Sequence, residues 1–293
     1  MSNSSFEIKL NTDKPQISDP EVQAAVDMLT KDLSKLGLAE INTMNAYDAQ
    51  KKTSADLSAN SNNANTSVWN TMVTAFMDES CNIMGGVITC VAIMMDVVSD
   101  CVNLLNISDN DLMNCVDNTS DMASLKGFTD AINVFDQCLF DVTIDGKTTK
   151  GVKLLPTTNP NGTVNDSILC SSKFWPAGKA PMDAHNGALL ETSIKGVEES
   201  FTNWGSSYQS SMMNDIKKWT TPTSSNGIQN LNNGIDQITK LIDEAVDELG
   251  TSNTELQNEL TTLVTQMQDM QGSWNKMQES LSAQYNAMVH GQM

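Results

Sequence analysis

Ile228 to Leu249, IQNLNNGIDQITKLIDEAVDEL, places Ile228, Leu231, Ile235, Ile238, Ile242, Ala245 and Leu249 at alternating steps of three and four. An α-helix turns once in 3.6 residues, so these positions line one face and form a heptad seam. The chain is therefore expected to be mainly α, with long helices and a C-terminal coiled-coil segment. A second seam follows through Leu256, Leu260, Leu263, Met267, Met270, Trp274, Met277, Leu281 and Met288, and its phase is displaced by four residues. Two accounts fit the displacement. A stutter lets one helix continue while the supercoil unwinds locally. Alternatively the chain turns at Gly250, and Ser252 with Glu255 caps a new helix. Stop and start signals coincide with the phase break, which favours the turn.

Four regions are expected along the chain. Residues 1–20 read as a disordered polar tail, because Pro15 and Pro20 interrupt regular structure and few apolar side chains are present to offset ordering entropy. Residues 21–127 read as a helical region, opened by Val22, Ala25, Val26, Met28, Leu29, Leu33 and Leu36 at helical steps. Its most apolar block, Ile83 to Met95, is 13 residues long before Asp96 and Asp100 interrupt it. A membrane-spanning helix needs about 20 such residues, so a buried core helix is the preferred reading. The alternative is conditional insertion of residues 83–105, with Ile83, Val87, Ile88, Val91, Ile93 and Met94 entering the bilayer. It requires Asp96 and Asp100 to be neutralised, paired or held in a water-filled lumen.

Residues 128–190 read as a mixed insertion. Phe135, Leu139, Phe140, Val142 and Ile144 lead into Asp145-Gly146, and Thr148, Val152 and Leu154 follow. Asp-Gly between such flanks predicts a two-residue hairpin, since glycine tolerates the positive φ of a type I′ turn. The stretch from Pro156 to Pro181 reads as an irregular excursion and a plausible contact surface. Residues 191–293 form the C-terminal helical region.

Composition narrows the function. The net charge of −19, from 36 acidic and 17 basic side chains, repels phosphate backbones, so nucleic acid is not an expected partner. Every basic residue is lysine, which removes the guanidinium fork used for bidentate phosphate recognition. Cys81, Cys90, Cys101, Cys115, Cys138 and Cys170 have irregular spacing with no C-x-x-C pair, so no zinc site is expected and small buried hydrophobes are the preferred reading. Neither His185 nor His290 belongs to a metalloprotease or triad pattern, and no nucleotide-binding or nucleophile-elbow motif is present. The acidic stretch Asp109 to Asp121 lacks the glycine and terminal glutamate of a calcium loop and reads as a solvated connector. No enzyme activity, cofactor or metal is expected.

The polar start Met1-Ser2-Asn3-Ser4-Ser5, the paired helical ends and the variable middle resemble the secreted structural proteins of type III secretion, namely needle-tip, filament and translocator proteins. The resemblance implies a secreted or surface-exposed virulence subunit without a cleaved Sec signal. It implies assembly with itself or with another secretion-apparatus protein, and it assigns the contact to the second seam: Leu256, Leu260, Leu263, Met267, Met270, Trp274, Met277 and Leu281. Two further readings stand beside it: a pore-forming translocator that inserts residues 83–105 after a conformational change, and a soluble effector or scaffold that binds a protein through residues 128–181.

Overall fold

The computed structural model describes residues 5–12, 17–60, 66–117, 125–158, 163–216 and 225–291. Among these residues five helices dominate: α1 (Pro20–Asn60), α2 (Thr66–Asp117), α3 (Lys126–Asp136), α4 (Ala184–Ile216) and α5 (Ser225–His290). Three strands, β1 (Phe6–Leu10), β2 (Leu139–Ile144) and β3 (Lys147–Lys153), form one antiparallel sheet in that order. The chain is thus mainly α with a small β-hairpin insertion. α2 reaches Asp117, so the connector expected from Asp109 begins as helix.

The chain divides into two compact units. The first comprises Met1–Gly37 and Ile93–Glu255, and the second Leu38–Ala92 and Leu256–Met293. α1, α2 and α5 each have residues in both units.

In the first unit, Asp145 (φ 48°) and Gly146 (φ 78°) make the hairpin turn that their sequence predicts. A bulge between Phe140 and Val142 interrupts the β2–β3 ladder, and there the Gly151 amide donates to Asp141 Oδ1 at 3.1 Å. The expectation of disorder is corrected at Phe6–Leu10, which form β1, with Phe6 paired to Ile144 and Leu10 to Phe140. Alternation explains it: Phe6 and Ile8 are buried, whereas Glu7 and Lys9 face out, so two apolar side chains suffice once β2 supplies the ladder. The outer edge of β1 is covered as well, since the Ile8 amide donates to Ser34 Oγ on α1 at 2.9 Å. α1 comes close here because Gly37 has no Cβ, and one would fall inside the Phe6 ring.

Polar groups fix the entry to α1. Asp19 Oδ1 accepts from the amides of Glu21 and Val22, capping the helix. Asp130 of α3 accepts at Oδ2 from Ser18 N–H, Ser18 Oγ–H and Asp19 N–H at 2.6, 3.0 and 2.8 Å. The core continues through Met94, Val97, Val98, Cys101, Leu104 and Leu105 of α2 and Phe128 and Phe135 of α3. Trp175 closes one side, stacked on Phe6 with ring centroids 5.4 Å apart and donating from Nε1 to Ile168 O.

The turn expected at Gly250 is also corrected, because α5 runs unbroken through it. Burial there follows Ile235, Ile238, Ile242, Ala245, Leu249, Ser252 and Leu256, which is the first heptad phase carried two positions past the glycine. The displacement is a stutter, and it begins where α5 leaves the first unit at Glu255.

Candidate functional site

The two parts of α5 differ in how far their seams are covered. Ile238, Ala245 and Leu249 are completely buried in the first unit. Beyond Leu256, which is 7% exposed, the seam residues Leu260, Leu263, Met267, Met270 and Trp274 are only half-buried, and Met277 is 39% exposed. The side chain of Leu281 lies outside the described residues. Val264 beside the stripe is 38% exposed. Because α5 continues as a helix, its periodicity keeps these side chains on one face. The result is an apolar stripe of methionine, leucine and one tryptophan, residue types suited to a surface that repacks against a partner.

The rest of the second unit is joined by small and polar contacts between α1 and α2. Thr43 Oγ1 lies against Gly86 and 3.8 Å from Cys90 Sγ, Gln50 Nε2 donates to Ser80 Oγ, and Thr53 Oγ1 donates to Glu79 Oε1 at 3.0 Å. Of the candidate membrane-inserting residues, Ile83, Val87, Ile88 and Ile93 are half-buried, whereas Val91 and Met94 are completely buried. α2 nevertheless contains Val73–Asn114, which is long and apolar enough to cross a bilayer, and little of its most apolar part is buried.

Carboxylates gather at helix contacts of the first unit. Asp32 of α1 and Asp100 of α2 are each 8% exposed. Burial, reinforced by the negative charges of Asp32 and Asp96 and opposed by Lys35, pushes Asp100 up to about 7. Lys35 itself bonds to Asp32 Oδ1. Burial followed by the charge of Asp136 raises Glu198 of α4 to about 7 also, with Lys153 and Lys195 opposing. Neither pair was anticipated. The available signal was a charged residue on an apolar face: Asp100 falls between Val97 and Leu104, and Asp32 between Leu29 and Leu36. Burial likewise raises the Cys138 thiol to about 11 and Cys170 to about 12, which makes them poor nucleophiles.

The outer face of the sheet forms an open polar hollow of about 430 Å³, lined by Glu7, Lys9, Asp141, Thr143, Thr148 and Lys150 among others. Among the described residues no group of three His, Cys, Asp or Glu side chains is placed to hold a metal. Compared with protein-family models, curated proteins and solved structures, the chain has no significant match in any of the three.

Proposed function

We propose that this protein is a secreted structural or interaction subunit, of the type III secretion kind, that self-assembles or docks on a secretion appendage through the C-terminal part of α5. The observation that carries the reading is the contrast along one helix: a seam completely buried at Ile238 and Leu249 and only half-covered from Leu260 to Trp274. An apolar stripe of that length is a characteristic mark of an interaction surface. The high net negative charge accords with a partner other than nucleic acid.

Size-exclusion chromatography with light scattering on the full chain tests it, against a Leu263→Asp/Met270→Asp variant. The parent is expected to form a defined oligomer or polymer, and the variant a monomer of unchanged helicity. A monomeric parent rejects self-assembly.

A second reading, membrane insertion of residues 83–105, is favoured by the part of Val73–Asn114 that is long and apolar enough to cross a bilayer, and by the low burial of that part. Liposome leakage by the parent, abolished by Val87→Asp/Ile88→Asp in the half-buried segment, would favour it over assembly alone.

A further inference from the structure

We propose that the stripe beyond Leu256 is covered by the same stripe of a second copy of this chain, the two α5 helices pairing across a two-fold axis through uncharged flanks. The inference rests on the assembly reading above and names its partner. α5 changes character along its length. From Ile235 to Leu249 it carries Asp236, Lys240, Asp243, Glu244, Asp247 and Glu248, six charges in 15 residues, and its seam is buried within the chain. From Leu260 to Leu281 it carries only Asp269, Lys276 and Glu279, three charges in 22 residues, and its seam is half-covered as far as Trp274. Charge thins out where cover is lost.

Heptad positions sharpen the contrast. With Leu260, Met267 and Trp274 at a and Leu263, Met270 and Met277 at d, Gln266 and Ser273 fall at g, and Val264, Gln271 and Gln278 at e. All five flanking residues are exposed and none is charged. The three charges fall at c and f, away from the seam. Thr261, Thr262 and Thr265, also on that outer face, donate their hydroxyls to the carbonyls of Gln257, Asn258 and Thr261 in their own helix at 2.9 Å each. Those hydroxyl protons are already satisfied, so the seam and its flanks are what remains to be paired.

Flanks of this kind select the chain's own copy. Acidic flanks set like charges opposite each other in a self-pair, and they are what draws a different, basic partner to a chain of net charge −19. Glutamine amides carry donor and acceptor together, so identical flanks complement each other. In a parallel pair g meets e of the other helix and in an antiparallel pair g meets g, so uncharged side chains meet in both. A two-fold contact uses the same patch on both subunits, which one stripe on one helix supplies. The segment from Leu256 onward holds three acids and one lysine, so it contributes little of the charge that drives two copies apart.

Light scattering on the full chain tests the pairing with flanks of chosen charge: Gln266→Glu/Gln271→Glu, Gln266→Lys/Gln271→Lys, and their equimolar mixture. Gln268→Glu/Asn275→Glu is a control that adds the same negative charge at two exposed b positions. The parent and the control are expected at twice the chain mass. Each flank variant alone is expected as a monomer where the parent is a dimer, a weakening of at least about tenfold, and the mixture as a dimer again. A parent that is monomeric or larger than a dimer overturns the proposal. So does a mixture that stays monomeric, or a control that dissociates with the flank variants. A dimer lost in Leu263→Asp/Met270→Asp but kept by both flank variants overturns the role of the flanks while the assembly reading stands. An oligomer kept by Leu263→Asp/Met270→Asp overturns the assembly reading itself. If a flank variant loses helicity by circular dichroism, Ser273 and Gln278, the next exposed flanking pair, take the same substitutions.

Discussion

Thr43 Oγ1 occupies the space that a Cβ on Gly86 would take, whereas a Cβ on the neighbouring Gly85 would meet no atom within 4 Å. Thr43 is not free to retreat, because its hydroxyl donates to Ala39 O at 2.8 Å and its Cβ and Cγ2 would themselves stand 3.1 and 3.3 Å from the new methyl. The adjacent glycines therefore serve different purposes. Gly86 permits α1 and α2 to approach, and Gly85 is a helix interior position that alanine fills better. Gly85→Ala is expected to stabilise by up to about 1 kcal/mol, and Gly86→Ala to destabilise by about 1–3 kcal/mol. Urea unfolding of the two variants checks this, and the same sign of change for both would contradict it.

The two parts of α5 predict opposite responses to the same chemistry. Ile242 is 1% exposed, so Ile242→Ala leaves a cavity and is expected to cost about 2–5 kcal/mol. Met277 is 39% exposed, so Met277→Ala is expected to stay within about 0.5 kcal/mol in the monomer. The contrast is best measured by chemical denaturation in the Leu263→Asp/Met270→Asp background, where assembly is removed. A cost at Met277 equal to that at Ile242 would mean that the stripe beyond Leu256 is internal core.

How far sequence foretold these features depends on whether the signal was local. The Asp145-Gly146 turn was legible because positive φ at both positions is a property of those two residues. The heptad seam was legible for the same reason, as periodicity lies within one helix. Gly250 misled, since a glycine beside Ser252 and Glu255 carries a stop and a start. Its helical cost, about 1 kcal/mol relative to alanine, is outweighed by burial of Leu249 and Leu256 on either side. β1 was illegible because its partner strand lies far along the chain, and no local pattern records that pairing. The burial of Asp32 and Asp100 was hidden likewise. Nor does periodicity say which stretch of a seam finds a cover, which is why the candidate interface emerges only from burial.

The N-terminal strand gives the third prediction. Phe6 stacks on Trp175 at an interplanar angle of 23°, is 4% exposed, and fills the space left by the missing side chain of Gly37. Three segments distant in sequence thus meet on one ring. Phe6→Ala removes the ring but leaves the backbone ladder to β2, so a loss of about 3–5 kcal/mol is expected without loss of helicity. Gly37→Ala acts on the same contact from the other side, because the added methyl displaces the ring while every other side chain remains. Both variants are expected to lose hydrogen-exchange protection at Phe6–Leu10 first, since fewer contacts then hold β1 against α1. Protection at Val97 to Leu105, deep in α2, should persist at a lower global stability. If Gly37→Ala leaves the strand amides as protected as in the parent, the ring has another place to go, and Phe6 is not what fastens β1 to α1.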